Sequence, residues 1–283
     1  MELLVFQSMW AMEQLPWRGS PWSFEQQVER IAEAGYDGAA VEFEDYEAAR
    51  TITSLLRDRD LLWSIECAPR DFDELRTAIA RAEEFGLDRA THINLQPNVR
   101  PQTVLEGIPL ILEWQRIADE AGIPVLFETH RDRMTTDLLY TLQLIDAIPP
   151  MRLTADLSHY LLGREFRWPV SAENHLLVER IIDRADAFHG RVASREQVQI
   201  QISFPHHRQW LDLFLGWWRE GFARWRARAS DGDRLIFTTE LGPPQWYAIS
   251  GPDGEEMSDR WEEAQALRRE VLGVWDELAG APA

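Results

Sequence analysis

The stretch PVLFETHRDRMTTDLLYTLQLIDAIPPMRLTADLSHY, residues 124–160, contains one full repeat of the pattern that decides the fold. A short apolar run at 124–130 precedes a helical segment at 136–148, and a second apolar run follows at 152–158. Short apolar runs rich in β-branched and aromatic residues are typical of strands buried on both faces. The stretch therefore predicts a strand, a helix and a second strand parallel to the first.

The same alternation of short apolar runs and longer helical segments occurs eight times in the 283 residues. The predicted strands are 3–9, 38–43, 61–67, 91–96, 124–130, 152–158, 186–192 and 234–241. Helix starts are predicted at Ser23, Asp71, Pro101, Thr135 or Thr136, and Ser171, and a last helix at about 258–278. Eight such units predict an α/β fold, a single (β/α)8 TIM barrel that spans 1–283 as one domain. A doubly wound sheet fits less well, because no G-x-G-x-x-G follows the first strand.

The composition excludes several classes of function. The chain has no lysine, which rules out Schiff-base chemistry, pyridoxal phosphate attachment and a P-loop lysine. Its single cysteine, Cys67, rules out an internal disulfide and a cysteine-based zinc site. The net charge of −19 opposes nonspecific binding to nucleic acid or to an anionic membrane. We expect a cytoplasmic protein that acts on a small molecule.

Polar side chains collect at the carboxyl ends of the predicted strands, where barrel enzymes carry their active sites. From strand four to strand eight they are His92, Asn94, Glu128, His130, Asp156, His159, His189, Arg191, Arg195 and Glu240. A mixture of oxygen and nitrogen ligands suits a divalent ion such as Mn²⁺, Co²⁺, Zn²⁺ or Mg²⁺. The pattern predicts a metal site shared by strands five to eight, although Asp156 alone could equally cap the loop after it.

These residues resemble the xylose isomerase-like TIM-barrel superfamily, a group of sugar phosphate isomerases and epimerases. The segment YDGAAVEF at 36–43 is similar to the family's second strand. FETH at 127–130 looks like its fifth-strand E-x-H, and ADLSHY at 155–160 like its sixth-strand D-x-x-H. An endonuclease IV-like repair enzyme is a poor match, because the chain has no Asp-x-His pair.

The resemblance implies a site and an activity. One divalent ion, Mn²⁺ first among the candidates, would be bound by Glu128, Asp156, His189 and Glu240. His159 and Arg195 would bind substrate, and we add His130, His92 and Trp10 as further substrate contacts. The implied enzyme is a metal-dependent sugar or polyol isomerase or 3-epimerase. Glu128 and Glu240 would move a proton through an enediolate.

Three other functions stay open on the sequence. A dehydratase or lyase on a cyclic polyol would start from the same enediolate, and the chain could be a subunit of a C-glycoside-cleaving enzyme. A metal-binding barrel without turnover is the third. The tryptophan-rich segment 208–227 is too broadly apolar for one amphipathic face. It predicts either burial against the barrel or a surface for a lid or a homo-oligomer.

Overall fold

The computed structural model of the protein describes residues 1–280, and residues 281–283 lie outside the described part. Eight parallel strands close into a barrel in chain order, with the first strand paired to the eighth. The prediction of a single (β/α)8 TIM barrel is confirmed. The strands are β1 Glu2–Ser8, β2 Gly38–Glu42, β3 Leu62–Cys67, β4 Ala90–Leu95, β5 Val125–Glu128, β6 Leu153–Ala155, β7 Ala185–Gly190 and β8 Arg234–Thr239.

Helices surround the barrel, and within residues 1–280 there are nine α-helices. They are α1 Phe24–Glu33, α2 Tyr46–Arg57, α3 Phe72–Phe85, α4 Val104–Ala121, α5 Leu138–Ala147, α6 Leu157–Gly163, α7 Ala172–Ile182, α8 Arg208–Arg228 and α9 Arg260–Gly280. The short helix α6, which directly follows β6, was not predicted. It has only seven residues, too few for a helical period to show in the sequence.

Most predicted helix starts are observed. The side chains of Ser23, Asp71 and Ser171 cap their helices, and Ser23 forms the predicted capping box with Gln26. Helix α4 starts later than predicted: Thr103 caps it, so Pro101 lies before the helix and not in its first turn. These capping bonds satisfy backbone N–H groups that have no partner within the helix.

The start of α5 was also predicted too early. Asp137 caps this helix by accepting a hydrogen bond from the backbone of Tyr140. The hydroxyl of Thr135 is occupied elsewhere, because it donates to the backbone oxygen of Glu128 and accepts from the backbone of His130. Thr135 therefore ties the loop after β5 to the strand end rather than capping the helix.

The tryptophan-rich segment forms α8, and its aromatic side chains belong to the core. Phe214, Trp218 and Phe222 are fully buried, and Trp218 packs edge-on against Phe237 of β8 at a centroid distance of 5.0 Å. Trp217, at 5% exposure, is buried as well. Burial against the barrel accounts for the broad apolar surface of this helix.

Side chains inside the barrel form two levels. The lower level is apolar and contains Leu4, Phe6, Leu126, Ala187 and Ile236. Two residues further along β5, β7 and β8, the inward positions are polar, because side chains alternate along a strand with a period of two. The chemistry of the barrel is therefore concentrated at its carboxyl end. No helix among residues 1–280 is long and apolar enough to cross a bilayer.

Candidate metal centre

Four side chains from four consecutive strands meet at the carboxyl end of the barrel. Glu128 ends β5, Asp156 follows β6, His189 lies near the end of β7, and Glu240 follows β8. Each offers one ligand atom, and these four atoms lie within 4.8 Å of one another. The exposed fractions of the four residues are 0, 0, 2 and 8% in that order. The structure thus brings together the four residues that the sequence assigned to a metal.

Three atoms of this cluster are buried without a hydrogen bond, namely Glu128 Oε1, His189 Nδ1 and Glu240 Oε2. The Nδ1 atom of His189 lies 2.7 Å from Glu240 Oε2 and 3.7 Å from Glu128 Oε1. Buried polar atoms are hydrogen-bonded in the great majority of cases, so three neighbouring exceptions need a common cause. Two carboxylate oxygens and one imidazole nitrogen that converge in this way fit a divalent cation.

The other oxygen of Glu128 is held in place by two amides. Asn94 Nδ2 lies 2.6 Å from Glu128 Oε2 and Gln96 Nε2 lies 2.8 Å from it. Asn94 also donates to Glu66, whose second oxygen accepts from Ser64. These bonds leave Oε1 as the free oxygen of Glu128. Glu66 was not predicted as a site residue; its position near the end of β3, on the same face as Ser64, is the signal that the sequence carries for it.

The two carboxylate oxygens of Asp156 accept hydrogen bonds from different partners. Oδ1 accepts from the backbone and the hydroxyl of Ser158 and so caps helix α6. Oδ2 accepts from Nη1 of Arg191 at 2.8 Å. The capping role that the sequence left open is therefore present together with a position in the cluster.

Arg191, directly after β7, is the cation of this cluster and is 1% exposed. Its Nη2 lies 3.0 Å from Glu240 Oε2, and its Nε donates to the backbone oxygen of Glu240 at 3.0 Å. Arg195 lies outside the cluster, where its half-exposed side chain pairs with Glu165 of the loop after α6. The sequence named Arg191 as a strand-end residue but gave the substrate-binding role to Arg195.

The carboxylates of the cluster have unequal environments. Burial raises the pKa of Glu128, and the negative charge of Glu240 adds to this rise. Burial alone would also raise the pKa of Glu240, but the positive charges of Arg191 and His189 outweigh it and lower the pKa. The pKa of His189 is raised, because the charges of Glu240 and Glu128 outweigh the effect of burial. The cluster therefore attracts positive charge strongly.

His159 has one nitrogen free inside the protein. Its Nε2 lies 3.2 Å from Nη1 of Arg191, and because arginine can only donate, Nε2 is the acceptor. The proton of the neutral ring is then on Nδ1, which is buried without a hydrogen-bond partner. Burial, reinforced by the nearby charges of His130 and Arg191, holds the pKa of His159 well below its usual value.

A small aromatic roof covers the cluster, formed by Trp10, His130 and Tyr247. The hydroxyl of Tyr247 lies 3.2 Å from His130 Nε2, and its ring stands edge-on to that of Trp10 at 5.2 Å. The other ring nitrogen of His130 bonds to the backbone oxygen of Arg131. A Cβ atom at Gly242 would collide with the Trp10 ring, so only glycine permits this packing. Trp10 and His130 are thus near the cluster, and both side chains pack within this roof.

His92 lies below the cluster along the barrel axis. It precedes Asn94 by two residues on β4, which places its side chain about 7 Å lower on the same inner face. There it lines a cavity of about 550 Å³ near the amino ends of the strands, beside Leu126 and Ile236. The structure does not bring His92 together with the predicted substrate contacts.

Comparisons with solved structures support the same fold. A D-tagatose 3-epimerase-like protein matches with a TM-score of 0.61 and 12% identity over 97% of this chain and 99% of that one. A xylose isomerase-like TIM barrel protein from Mycobacterium smegmatis in complex with magnesium gives 0.61 and 13% over 97% of each chain. A D-allulose 3-epimerase from Methylomonas sp. gives 0.57 and 13% over 98% of each. No protein-family model and no curated protein sequence matches the chain.

Proposed function

We propose that the protein is a divalent-metal-dependent enzyme, an isomerase or 3-epimerase that acts on a sugar or polyol. The observation that carries this proposal is the convergence of Glu128 Oε1, His189 Nδ1 and Glu240 Oε2, all buried and all without hydrogen bonds. The fold shared with a D-allulose 3-epimerase and a D-tagatose 3-epimerase-like protein supports the reaction class.

The residues that would hold the ion are Glu128, Asp156, His189 and Glu240. Bound there, a divalent ion would act as a Lewis acid and stabilise negative charge on the oxygens of the substrate. The donor set of three carboxylates and one imidazole accepts Mn²⁺, our first candidate, as well as Co²⁺, Zn²⁺ or Mg²⁺. The magnesium complex of the mycobacterial barrel protein agrees with a divalent ion in a fold of this kind.

Glu128 and Glu240 are the proposed acid–base pair. They belong to β5 and to the residue after β8, three strands apart in the ring, so they approach the centre from different directions. One carboxylate would take the proton from the carbon beside a carbonyl, and the other would return a proton to the enediolate. Return to the opposite face of the same carbon gives an epimer, and return to the neighbouring carbon gives an isomer.

His159 is the proposed partner of a substrate oxygen. Its Nδ1–H is buried and has no acceptor within residues 1–280, which is unfavourable unless a ligand supplies one. Arg191 fixes the ring from the other side through Nε2. A carbonyl or hydroxyl oxygen of the substrate is a suitable acceptor. His92 and Arg195 have no part in the proposal, since neither side chain approaches the cluster.

The aromatic roof would keep water from the reaction. Tyr247 is largely buried between the cluster and the surface, and its loop, 240–259, runs from β8 to α9. Water exclusion strengthens the electrostatic interactions of the site and protects an enediolate from side reactions. Because the four clustered residues are at most 8% exposed, this roof must move when substrate enters.

The test is turnover in D2O by the Mn²⁺-loaded protein, with a panel of ketohexoses and cyclic polyols. Deuterium in an epimer or isomer, without loss of water, supports the proposal. Deuterium exchange with loss of water assigns the dehydratase or lyase reaction instead. Glu240→Gln and Glu128→Gln are each expected to lower kcat by about 10²–10⁴-fold. His92→Gln, at the lower level of the barrel, is the matched control and should retain activity.

If the protein binds metal but turns over no polyol, the proposal that it is an enzyme is rejected, and a metal-binding barrel without turnover is favoured. A C-glycoside-cleaving subunit would be active only on a glycoside whose sugar is joined to the aglycone through carbon. The panel therefore includes one such glycoside.

A further inference from the structure

The carboxylates of the cluster already face a cation that belongs to the chain. Arg191 Nη1 lies 2.8 Å from Asp156 Oδ2, and Nη2 lies 3.0 Å from Glu240 Oε2. One guanidinium group thus spans two of the four residues that would bind the ion. Its planar shape and fixed charge suit this bridging position, since arginine keeps its proton at any relevant pH.

The position of Arg191 is fixed on every side. Its Nε donates to the backbone oxygen of Glu240, and its guanidinium lies 4.4 Å from the ring centroid of Tyr247. The Trp10 ring centroid lies 5.8 Å from the same group. Together with Asp156, these contacts hold the cation in place from the strands and from the aromatic roof. Arg191 is therefore a buried side chain of the barrel interior and not a surface residue.

The balance of charge in the cluster explains why a buried arginine is favourable there. The cluster contains three carboxylates and one imidazole. A divalent ion with a neutral imidazole would leave one negative charge buried and uncompensated, and a buried unpaired charge is strongly unfavourable. The guanidinium of Arg191 supplies the missing positive charge.

We propose that Arg191 is a permanent second cation of this centre, which shares Asp156 and Glu240 with the divalent ion. This inference rests on the proposed metal site. Arg191 compensates the carboxylates when the ion is absent and repels the ion when it binds. Two consequences follow: the metal-free cluster stays assembled, and the affinity for the ion is lower than the carboxylates alone would give.

The test compares the wild type with Arg191→Gln, which removes the charge, and Arg191→Lys, which keeps it. Arg152→Gln is the control, because Arg152 is half-buried and its Nε lies 2.7 Å from Asp186 Oδ2 near the amino ends of the strands, away from the cluster. For each protein, calorimetry gives the Kd for Mn²⁺. Thermal unfolding gives the Tm in chelator and in saturating Mn²⁺.

We expect Arg191→Gln to bind Mn²⁺ at least about tenfold more tightly than the wild type, because a like charge beside the ion is gone. Its Tm in chelator should fall, and the rise in Tm on adding Mn²⁺ should exceed that of the wild type. Arg191→Lys should stay within about threefold of the wild-type Kd, since the charge is kept. Arg152→Gln should lower the Tm equally with and without Mn²⁺ and leave the Kd unchanged.

Four results would overturn one or both proposals. An unchanged or weaker affinity in Arg191→Gln, with the wild type binding Mn²⁺, overturns the role of Arg191 and leaves the metal site standing. If Arg191→Gln fails to fold, a Kd for Arg191→Lys more than about tenfold from the wild type overturns it as well. Binding by Arg191→Gln but not by the wild type supports the arginine as the cation of the cluster and overturns the proposed metal enzyme. Binding by neither protein overturns both.

Discussion

The Nδ1 atom of His189 lies 2.7 Å from the Oε2 atom of Glu240, and neither atom makes a hydrogen bond. Two such atoms are normally found this close when a proton or a metal ion lies between them. The alignment required for a hydrogen bond is absent, so a cation that both atoms can coordinate accounts for the pair better. Glu128 Oε1 completes the same set.

The first prediction concerns binding of a metal ion. Adding Mn²⁺ should raise the Tm, because a ligand that binds only the folded state stabilises it by about 2.7 kcal/mol at 100 times Kd. Calorimetric unfolding with and without chelator measures this change. His189→Ala should abolish the rise, whereas His206→Gln, at an exposed histidine, should keep it. A wild-type Tm that none of Mn²⁺, Co²⁺, Zn²⁺ and Mg²⁺ changes would contradict the metal site.

The second prediction concerns the amide that orients Glu128. Asn94→Ala removes a hydrogen bond to Glu128 Oε2 and another to Glu66. Loss of a residue that orients a metal ligand typically weakens binding by about 10–100-fold, and we expect that range for the Kd of Mn²⁺. Titration calorimetry gives the value. Asn98→Ala, at a loop residue that bonds to Arg100, should leave the Kd unchanged. Equal affinities for Asn94→Ala and the wild type would show that Glu128 needs no such support.

The third prediction is a pH dependence of stability that arises from His92. Burial, with a smaller effect of the His189 charge, lowers the pKa of His92 to about 3. The unfolded chain takes up a proton on this residue near pH 6.5, whereas the folded protein does not. Between pH 6.5 and about 3, the free energy of unfolding should therefore fall by about 1.4 kcal/mol per pH unit from this residue alone.

The measurement is denaturant unfolding of the metal-free protein at several pH values. His92→Gln should reduce the slope of the free energy of unfolding against pH by the equivalent of about one bound proton. Identical slopes for His92→Gln and the wild type would mean that His92 is protonated in the folded protein.

The fourth prediction distinguishes core from interface in α8. Trp218 is fully buried against Phe237, so Trp218→Ala should lower the free energy of unfolding by about 3–5 kcal/mol. Trp246, which is 64% exposed, is the matched control. Trp246→Ala should change the free energy of unfolding by less than about 0.5 kcal/mol. Urea unfolding at two protein concentrations measures both variants. A loss of unfolding free energy that depends on protein concentration would indicate that α8 forms an interface between subunits.

The fold followed from local patterns. Short apolar runs gave the eight strands to within a few residues, and Ser23, Asp71 and Ser171 gave three helix starts, because capping depends on neighbouring residues only. Longer-range contacts caused the failures. Thr135 was expected to cap a helix, but the end of β5 engages its hydroxyl, and no local signal shows that contact.

The sequence predicted which strand ends carry the site, but not the depth at which each side chain lies in the barrel. The positions of Glu128, Asp156, His189 and Glu240 follow from the rule that barrel strands point their carboxyl ends to one face. His92 obeys the same alternation as Asn94 but lies at another depth, and depth depends on where each strand starts relative to its neighbours. The register between β3 and β4 shifts by an irregularity that the sequence does not reveal.

The sequence by itself determined the barrel, the strand that carries each polar residue, and the exclusion of lysine chemistry, of an internal disulfide and of a cysteine-based zinc site. Only the tertiary structure decided that Arg191 is buried among the carboxylates while Arg195 pairs with Glu165 on the surface. The two arginines are four residues apart in one loop, and nothing in their local sequence separates them. Their positions depend on the path of that loop after β7 and on the charges that other strands present to it, which are properties of the folded chain alone.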